Sequence, residues 1–236
     1  MSPQRLLNIL FADDAADSRM LVQACLRGAP VTLTGVEDGL KAIEAYESFE
    51  FDLILMDIEM PVVTGPEALA RIRKWETAQG LPPVPAIALT GNDEAAGFDF
   101  HLKKPVKKAD LLEMIGRIFP TLQTSPVPTS ADTVDSTLDE EIREMMPGYL
   151  ENRGKDLVSL TSASASGDLQ QCAALLHRIK GTAASYGFKE LGQLAELGEK
   201  HAKAGDAASL ILMLRSYRSE LARQLVLLPK SQLSAG

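Results

Sequence analysis

Cysteine is scarce in this chain: two in 236 residues, Cys25 and Cys172. They fit neither a C-x-x-C nor a zinc spacing, and both sit in apolar helical contexts, where a cysteine is ordinarily a small core residue. No apolar run approaches the ~18 residues that a membrane span needs. The opening Met-Ser-Pro-Gln-Arg lacks the apolar segment of a secretory signal. Basic residues are outnumbered, 24 − 32 = −8, which argues against nucleic acid as a main partner. There is no Gly-x-x-x-x-Gly-Lys run or other glycine-rich phosphate cradle, so the chain is not expected to use ATP alone. These absences predict a soluble protein in a reducing, cytoplasmic setting, with no membrane and no nucleic-acid partner. Apolar residues are plentiful at 45%, so disorder is not the default. The length suits one large domain or two ordinary ones.

The first half alternates between strand-like and helix-like stretches. Strands are expected at Leu6–Ala12, Val31–Val36, Leu53–Asp57, Val84–Leu89 and, shorter, Phe98–Lys103. Helices are expected at Ser18–Arg27, at Asp38–Tyr46 with Leu40 and Ile43 turned inward, from Pro66 to Trp75 and at Lys108–Ile118. Such alternation implies parallel βαβ units with right-handed crossovers. Residues 121–137 are rich in Pro, Ser and Thr and bury little, so they read as an extended linker. From Leu138 onward no β-rich stretch appears. A short helix at Asp139–Met146 and another from Pro147 to about Ser164, with Leu150, Leu157, Val158 and Leu160 facing in, are followed by a break at Gly167-Asp168. Leu169, Cys172, Leu176, Ile179, Ala183 and Tyr186 then recur at steps of three and four, the seam of an antiparallel bundle. Lys189–Ala204 and Asp206–Leu227 complete it. The expected domains are 1–120, the linker 121–137, and 138–230.

Leu-Ile-Leu-Met at 53–56 runs straight into Asp57, as in a strand buried on both faces of a parallel sheet. Ligands of open α/β sheets bind at the carboxyl ends of the strands. Asp13 and Asp14 follow the first strand directly. With strands one and three side by side, three carboxylates meet at one point, and they repel unless a cation sits among them. Hard oxygen ligands suit Mg2+, which readily accepts phosphate oxygens as well. Thr90 closes the fourth strand with a hydroxyl and Lys104 follows the fifth with an ammonium. Those are the groups that a phosphoryl group on Asp57 would need.

Asp13-Asp14, Asp57-x-x-Met60-Pro61 with Gly65, Thr90 and Lys104-Pro105 resemble the receiver domain of two-component response regulators, over roughly residues 4–120. The resemblance implies a flavodoxin-like, doubly wound five-stranded parallel sheet. It implies that Asp57 accepts a phosphoryl group from a phosphohistidine. It further implies that Asp14, Asp57 and the Glu59 backbone carbonyl hold Mg2+, with Asp13 helping through water, and that Thr90 and Lys104 contact the acyl phosphate. Two features depart from the family. Thr90 and Lys104 are only 104 − 90 = 14 steps apart, so the fourth helix is expected to be shortened or missing. The aromatic switch position, three before the lysine, is His101.

His177 lies one step off the bundle seam, among Ala173, Ala174, Lys180, Gly181 and Ala184. A lone helical histidine is usually incidental. Small neighbours, however, leave an imidazole clear for an approaching protein. Gly181 inside a helix costs about 1 kcal/mol against alanine, consistent with close approach or with tight packing. The run His177-Arg178-Ile179-Lys180-Gly181-Thr182-Ala183, with the later Tyr186-Gly187, resembles the signature of histidine phosphotransfer (HPt) domains, over about residues 138–228. That resemblance implies an all-α four-helix bundle in which His177 carries a phosphoryl group to and from receiver aspartates, supported by Lys180. Imidazole is nucleophilic when neutral.

Two functions remain open at this point. One is a phosphorelay protein, whose partners are a sensor or hybrid histidine kinase and other receiver domains, and which could itself be the C-terminal piece of a hybrid kinase. The other is a regulatory receiver that docks on the bundle by intramolecular contact and controls access to His177. A DNA-binding regulator is set aside, because no recognition helix or basic balance is present.

Overall fold

The computed structural model of the chain describes residues 6–91, 96–120 and 131–228, with side chains in the last stretch from residue 142 on. The chain divides into two compact units, Met1–Val134 and Asp135–Gly236.

Five strands form the sheet of the first unit: β1 (Leu7–Ala12), β2 (Val31–Val36), β3 (Leu53–Asp57), β4 (Ala86–Thr90) and β5 (Phe100–Lys103). All neighbours are parallel, in the order β2-β1-β3-β4-β5. The parallel sheet expected from the alternating pattern, and the five-stranded doubly wound form implied by the receiver resemblance, are therefore present. Every residue of β3 and β4 is buried, which is why both read as unbroken apolar runs. The helices are α1 (Ala16–Cys25), α2 (Gly39–Ser48), α3 (Gly65–Gln79) and α4 (Lys108–Ile118). Leu10, Ala12, Ile54, Met56, Ala86 and Ala88 pack on one face against Ala42, Tyr46, Leu69 and Ile72 of α2 and α3. The alternate strand residues point to the opposite face. Asp38 caps α2 by accepting from the Lys41 N–H. Thr64 and Glu67 form a capping box at the start of α3, and Gly80 ends that helix in the left-handed region.

Between β4 and β5 none of the described residues, Gly91 and 96–99, is helical. Phe98 is buried against the α2–α3 side of the core. The Asp99 carboxylate accepts the Ala86 N–H at 2.8 Å and an Arg73 N–H at 3.0 Å. Arg73 also bonds the buried Glu76, whose Oε1 accepts from Tyr46 Oη at 2.6 Å and from the Val84 N–H at 2.9 Å. This network ties the short β4–β5 return to α2 and α3 at the foot of β4.

The second unit is a bundle of α5 (Ala131–Ser166), α6 (Leu169–Ala183), α7 (Lys189–Lys203) and α8 (Ala207–Leu227). Asp168 and Asp206 cap α6 and α8. Cys172, Leu176, Ile179, Ala183 and Tyr186 are all buried in one core, as their spacing predicts, although α6 ends before Tyr186.

Three expectations are corrected. The two helices expected at 139–146 and 147–164 are one, α5, which runs through Pro147 and begins inside the stretch read as linker. A proline in a helix interior costs about 3 kcal/mol or more. Ile142, Met145 and Met146 before it, partly buried, and Tyr149 and Leu150 after it, fully buried, pack on the same core, so continuity keeps both groups against it. Residues 121–130 of the expected linker lie outside the described residues. Leu40 and Val158, expected to face in, are exposed (42% and 71%), because each lies beside the apolar stripe of its helix rather than on it.

Candidate functional site

Strand register assembles the first site. Ala12 pairs with Met56, so Asp13 follows β1 level with Asp57 at the end of β3. Asp57 pairs with Leu89, which places Thr90 one step further on the neighbouring strand. Thr90 pairs with Lys103, and the Lys104 N–H donates to the Thr90 carbonyl at 2.6 Å. Carboxylate oxygens of Asp13, Asp14 and Asp57 all lie within 4.8 Å of one another. Asp13, Asp57 and Thr90 are buried, and Asp14 is partly exposed.

Lys104 Nζ bridges the acids, 2.8 Å from Asp57 Oδ2 and 3.1 Å from Asp13 Oδ2. Burial works against its ammonium, but the charges of Asp13 and Asp57 outweigh burial and raise its pKa above the ordinary lysine value. Asp13 is further held by the Ala15 N–H at 2.9 Å and by Ser18 Oγ at 2.6 Å, while Arg19 donates to its backbone carbonyl at 2.6 Å. Ser18 and Arg19 were read only as helix residues. Their positions in the first turns of α1, just past the acids, are the signal that could have found them. Gly65 closes the loop behind Asp57: its N–H donates to the Ile58 carbonyl at 2.9 Å, and a Cβ there would collide with the Asp57 carbonyl oxygen. Glu59 lies exposed in this loop, two residues past Asp57. His101 is exposed on β5, the edge strand.

The second site lies on α6 and α7. His177 Nδ1 is 3.0 Å from Glu199 Oε1. Lys180 Nζ is 2.7 Å from Glu199 Oε2, and Lys203 Nζ is 2.8 Å from Glu199 Oε1. Burial favours the neutral acid, yet the hydrogen bonds from His177, Lys180 and Lys203 outweigh it and hold the Glu199 carboxyl well below the usual carboxylate range. An ionised carboxylate only accepts hydrogen bonds, so the Nδ1 atom of His177 carries the proton. In the neutral ring the lone pair then sits on Nε2. Lys180 was anticipated, whereas Glu199 and Lys203 were not. The legible signal for Glu199 is an acid lined up with Ala195 and Ala202 on the apolar stripe of α7, where all three are buried. Lys203 follows four residues later on the same face.

The three clustered carboxylates offer hard oxygen donors with room for a divalent cation beside Lys104, a set that fits Mg2+.

Residues 9–116 match the response regulator receiver domain, and residues 138–225 match the Hpt domain. The chain is 25% identical to the sensor protein GacS of Pseudomonas syringae pv. syringae over 83% of this chain and 24% of that protein. It is 26% identical to the aerobic respiration control sensor protein ArcB of Escherichia coli K12 over 82% of this chain and 28% of that protein. The chain thus spans about a quarter of the length of these relatives. The solved receiver domain of sensor histidine kinase PA1611 from Pseudomonas aeruginosa PAO1 is 32% identical, with a TM-score of 0.43, over 48% of this chain and 96% of that one. Among the described residues, no helix is long and apolar enough to cross a membrane.

Proposed function

Because this chain joins a response regulator receiver domain to an Hpt domain, both of them phosphorelay signalling modules, we propose that Asp57 and His177 are its two phosphoacceptors. In the first step an Asp57 carboxylate oxygen attacks the phosphorus of a partner's phosphohistidine. The P–N bond breaks, the acyl phosphate forms, and the leaving imidazole takes up a proton. Lys104, now paired with Asp57 and Asp13, turns to the phosphoryl oxygens, and the Thr90 hydroxyl donates to another. Asp14, Asp57 and the Glu59 carbonyl would hold Mg2+, with Asp13 acting through water. When bound, the ion supplies charge neutralisation for the transferring group.

At the second site His177 Nε2 attacks the phosphorus of a receiver acyl phosphate. The P–O bond breaks and the aspartate carboxylate leaves. Glu199, accepting from Nδ1–H, keeps that proton on the ring and stabilises the positive charge that develops there, the role of the orienting acid in a base–acid pair. Lys180 faces the arriving phosphoryl group. The reverse transfer follows the same path. The partners are a sensor or hybrid histidine kinase and other receiver domains, in the cytoplasm.

The observation that carries this reading is the double pairing of Lys104 with Asp57 and Asp13 at the strand ends. The test incubates the protein, Asp57→Ala and His177→Ala with a phosphorylated histidine kinase and Mg2+. Label on Asp57 is expected to be lost with hydroxylamine, and label on His177 with acid. An unlabelled protein would instead favour a receiver that regulates access to His177 by docking, a reading to which the short β4–β5 return lends support. If Asp57→Ala still loads His177 from a separate phosphorylated receiver, the two domains serve separate partners.

A further inference from the structure

In the bundle, α5 and α8 leave a groove of about 270 Å3 between them. Leu157 and Ala165 line one wall, and Ile211 and Leu214 the other, with Arg215 and Arg218 along one edge. The Ser164 hydroxyl in its floor has no hydrogen-bond partner among the described residues, unlike the polar groups of a finished core. The apolar surface continues past the groove. Val158, three residues before the groove's Thr161, is 71% exposed, and Leu212, three residues before its Arg215, is 61% exposed. Exposed apolar surface gathered in one place marks an interaction site, whereas scattered single residues do not.

Charge decides the kind of partner. Arg215 and Arg218 stand three residues apart, so they share one face of α8. Neither has an ion pair among the described residues, although other bundle cations are paired, as in Arg223–Glu220, Lys155–Glu151 and Lys200–Glu196. Two unpaired guanidiniums beside an apolar trough, in a chain of net charge −8, select an acidic partner. Size narrows the choice. The groove falls just short of the range of small-molecule pockets, roughly 300–1,000 Å3, and suits one large side chain. We propose that this groove docks an amphipathic helix of a partner protein, which seats one large apolar side chain between Leu157, Ile211 and Leu214 and sets carboxylates one turn away against Arg215 and Arg218. Because none of His177, Lys180, Glu199 and Lys203 lines the groove, the partner can be held without occupying the imidazole.

The test titrates the 15N-labelled chain with a helical peptide on an Ala/Gln scaffold that carries one Phe flanked by Glu residues, and with a twin carrying Lys in place of Glu. The Glu peptide is expected to shift amide resonances of α5 and α8 selectively, with a Kd on the order of 100 μM that weakens as salt is added. Arg215→Glu with Arg218→Glu should weaken it at least ~10-fold. Thr161→Trp, an exposed position at the groove, should block it with the melting temperature unchanged. Equal binding of the Lys twin, shifts confined to other helices, or no shift at about 1 mM peptide would overturn the proposal. Shifts of the same resonances on concentrating the chain alone would overturn it in favour of a second copy, and displacement of the Glu peptide by decanoate would do so in favour of a small amphiphile.

Discussion

The two proposed phosphoacceptor sites solve opposite charge problems. At the sheet, Asp13, Asp14 and Asp57 face one lysine, a formal sum of −3 + 1 = −2. On the bundle, Glu199 faces Lys180 and Lys203, a formal sum of −1 + 2 = +1 before the imidazole is counted. A phosphoryl dianion arriving at the sheet therefore meets repulsion that a divalent cation would cancel, whereas at the bundle it meets an ammonium pair already in place. Chemistry differs in parallel. The carboxylate is a nucleophile as it stands, while the imidazole depends on which nitrogen holds its proton, and a buried acid on the next helix settles that.

The largest effect expected from this contrast concerns metal removal. Chelating Mg2+ with EDTA should abolish hydroxylamine-labile label on Asp57, and Asp14→Ala should do the same at ordinary Mg2+ concentrations. Label that persisted in EDTA would break the contrast. Next in size is the orienting acid. Glu199→Ala should slow phosphoryl transfer to His177 by roughly 10²-fold, and Glu199→Gln less, because an amide oxygen still accepts from Nδ1 but carries no charge. Rapid-quench assays of both variants against a phosphorylated receiver measure this. A merely structural Glu199 would lower the melting temperature and leave the rate per folded molecule unchanged.

Stability separates the units as well. Leu176→Ala, at a fully buried seam position, should destabilise the bundle by about 2–5 kcal/mol and leave the sheet domain's own transition in place. Two-transition calorimetry reads this. The pH dependence has a definite sign. The folded-state pKa of Glu199 lies below its unfolded value. The stability it contributes is therefore full above the ordinary glutamate range near ~4.3 and is lost as pH falls through the depressed folded value. Bundle unfolding followed from pH 7 down to pH 2 should show this loss, and Glu199→Gln should flatten it. The smallest effect expected is at the α3 cap, where Thr64→Ala removes half of the capping box and costs about 1 kcal/mol in the sheet domain alone.

Much of the architecture could be read without coordinates because its signals are local. Unbroken apolar runs at 53–56 and 86–89 require strands covered on both faces, and the residues that follow them, Asp57 and Thr90, fall at strand ends. The three-and-four spacing from Leu169 to Ala183 requires a buried helix face. The short interval from Thr90 to Lys104 leaves little chain for a helix, and none appears among the described residues. What escaped depended on neighbours remote in the chain. Pro147 signals a helix end by itself and is overridden by core contacts on both sides of it. Leu40 and Val158 are apolar, but nothing in their own helices says which way the stripe turns against its partner.

By itself, then, the order of residues determined the two folds, the placing of acids and lysine at strand ends, and a histidine beside a bundle seam, because strand and helix periods are properties of short segments. Only the tertiary structure decided that Lys104 bridges Asp57 to Asp13 and that Glu199 accepts a hydrogen bond from His177 Nδ1 while holding two lysines. Those contacts join residues 91 and 22 positions apart. They exist only once parallel register and the α6–α7 packing have brought the side chains within hydrogen-bonding reach.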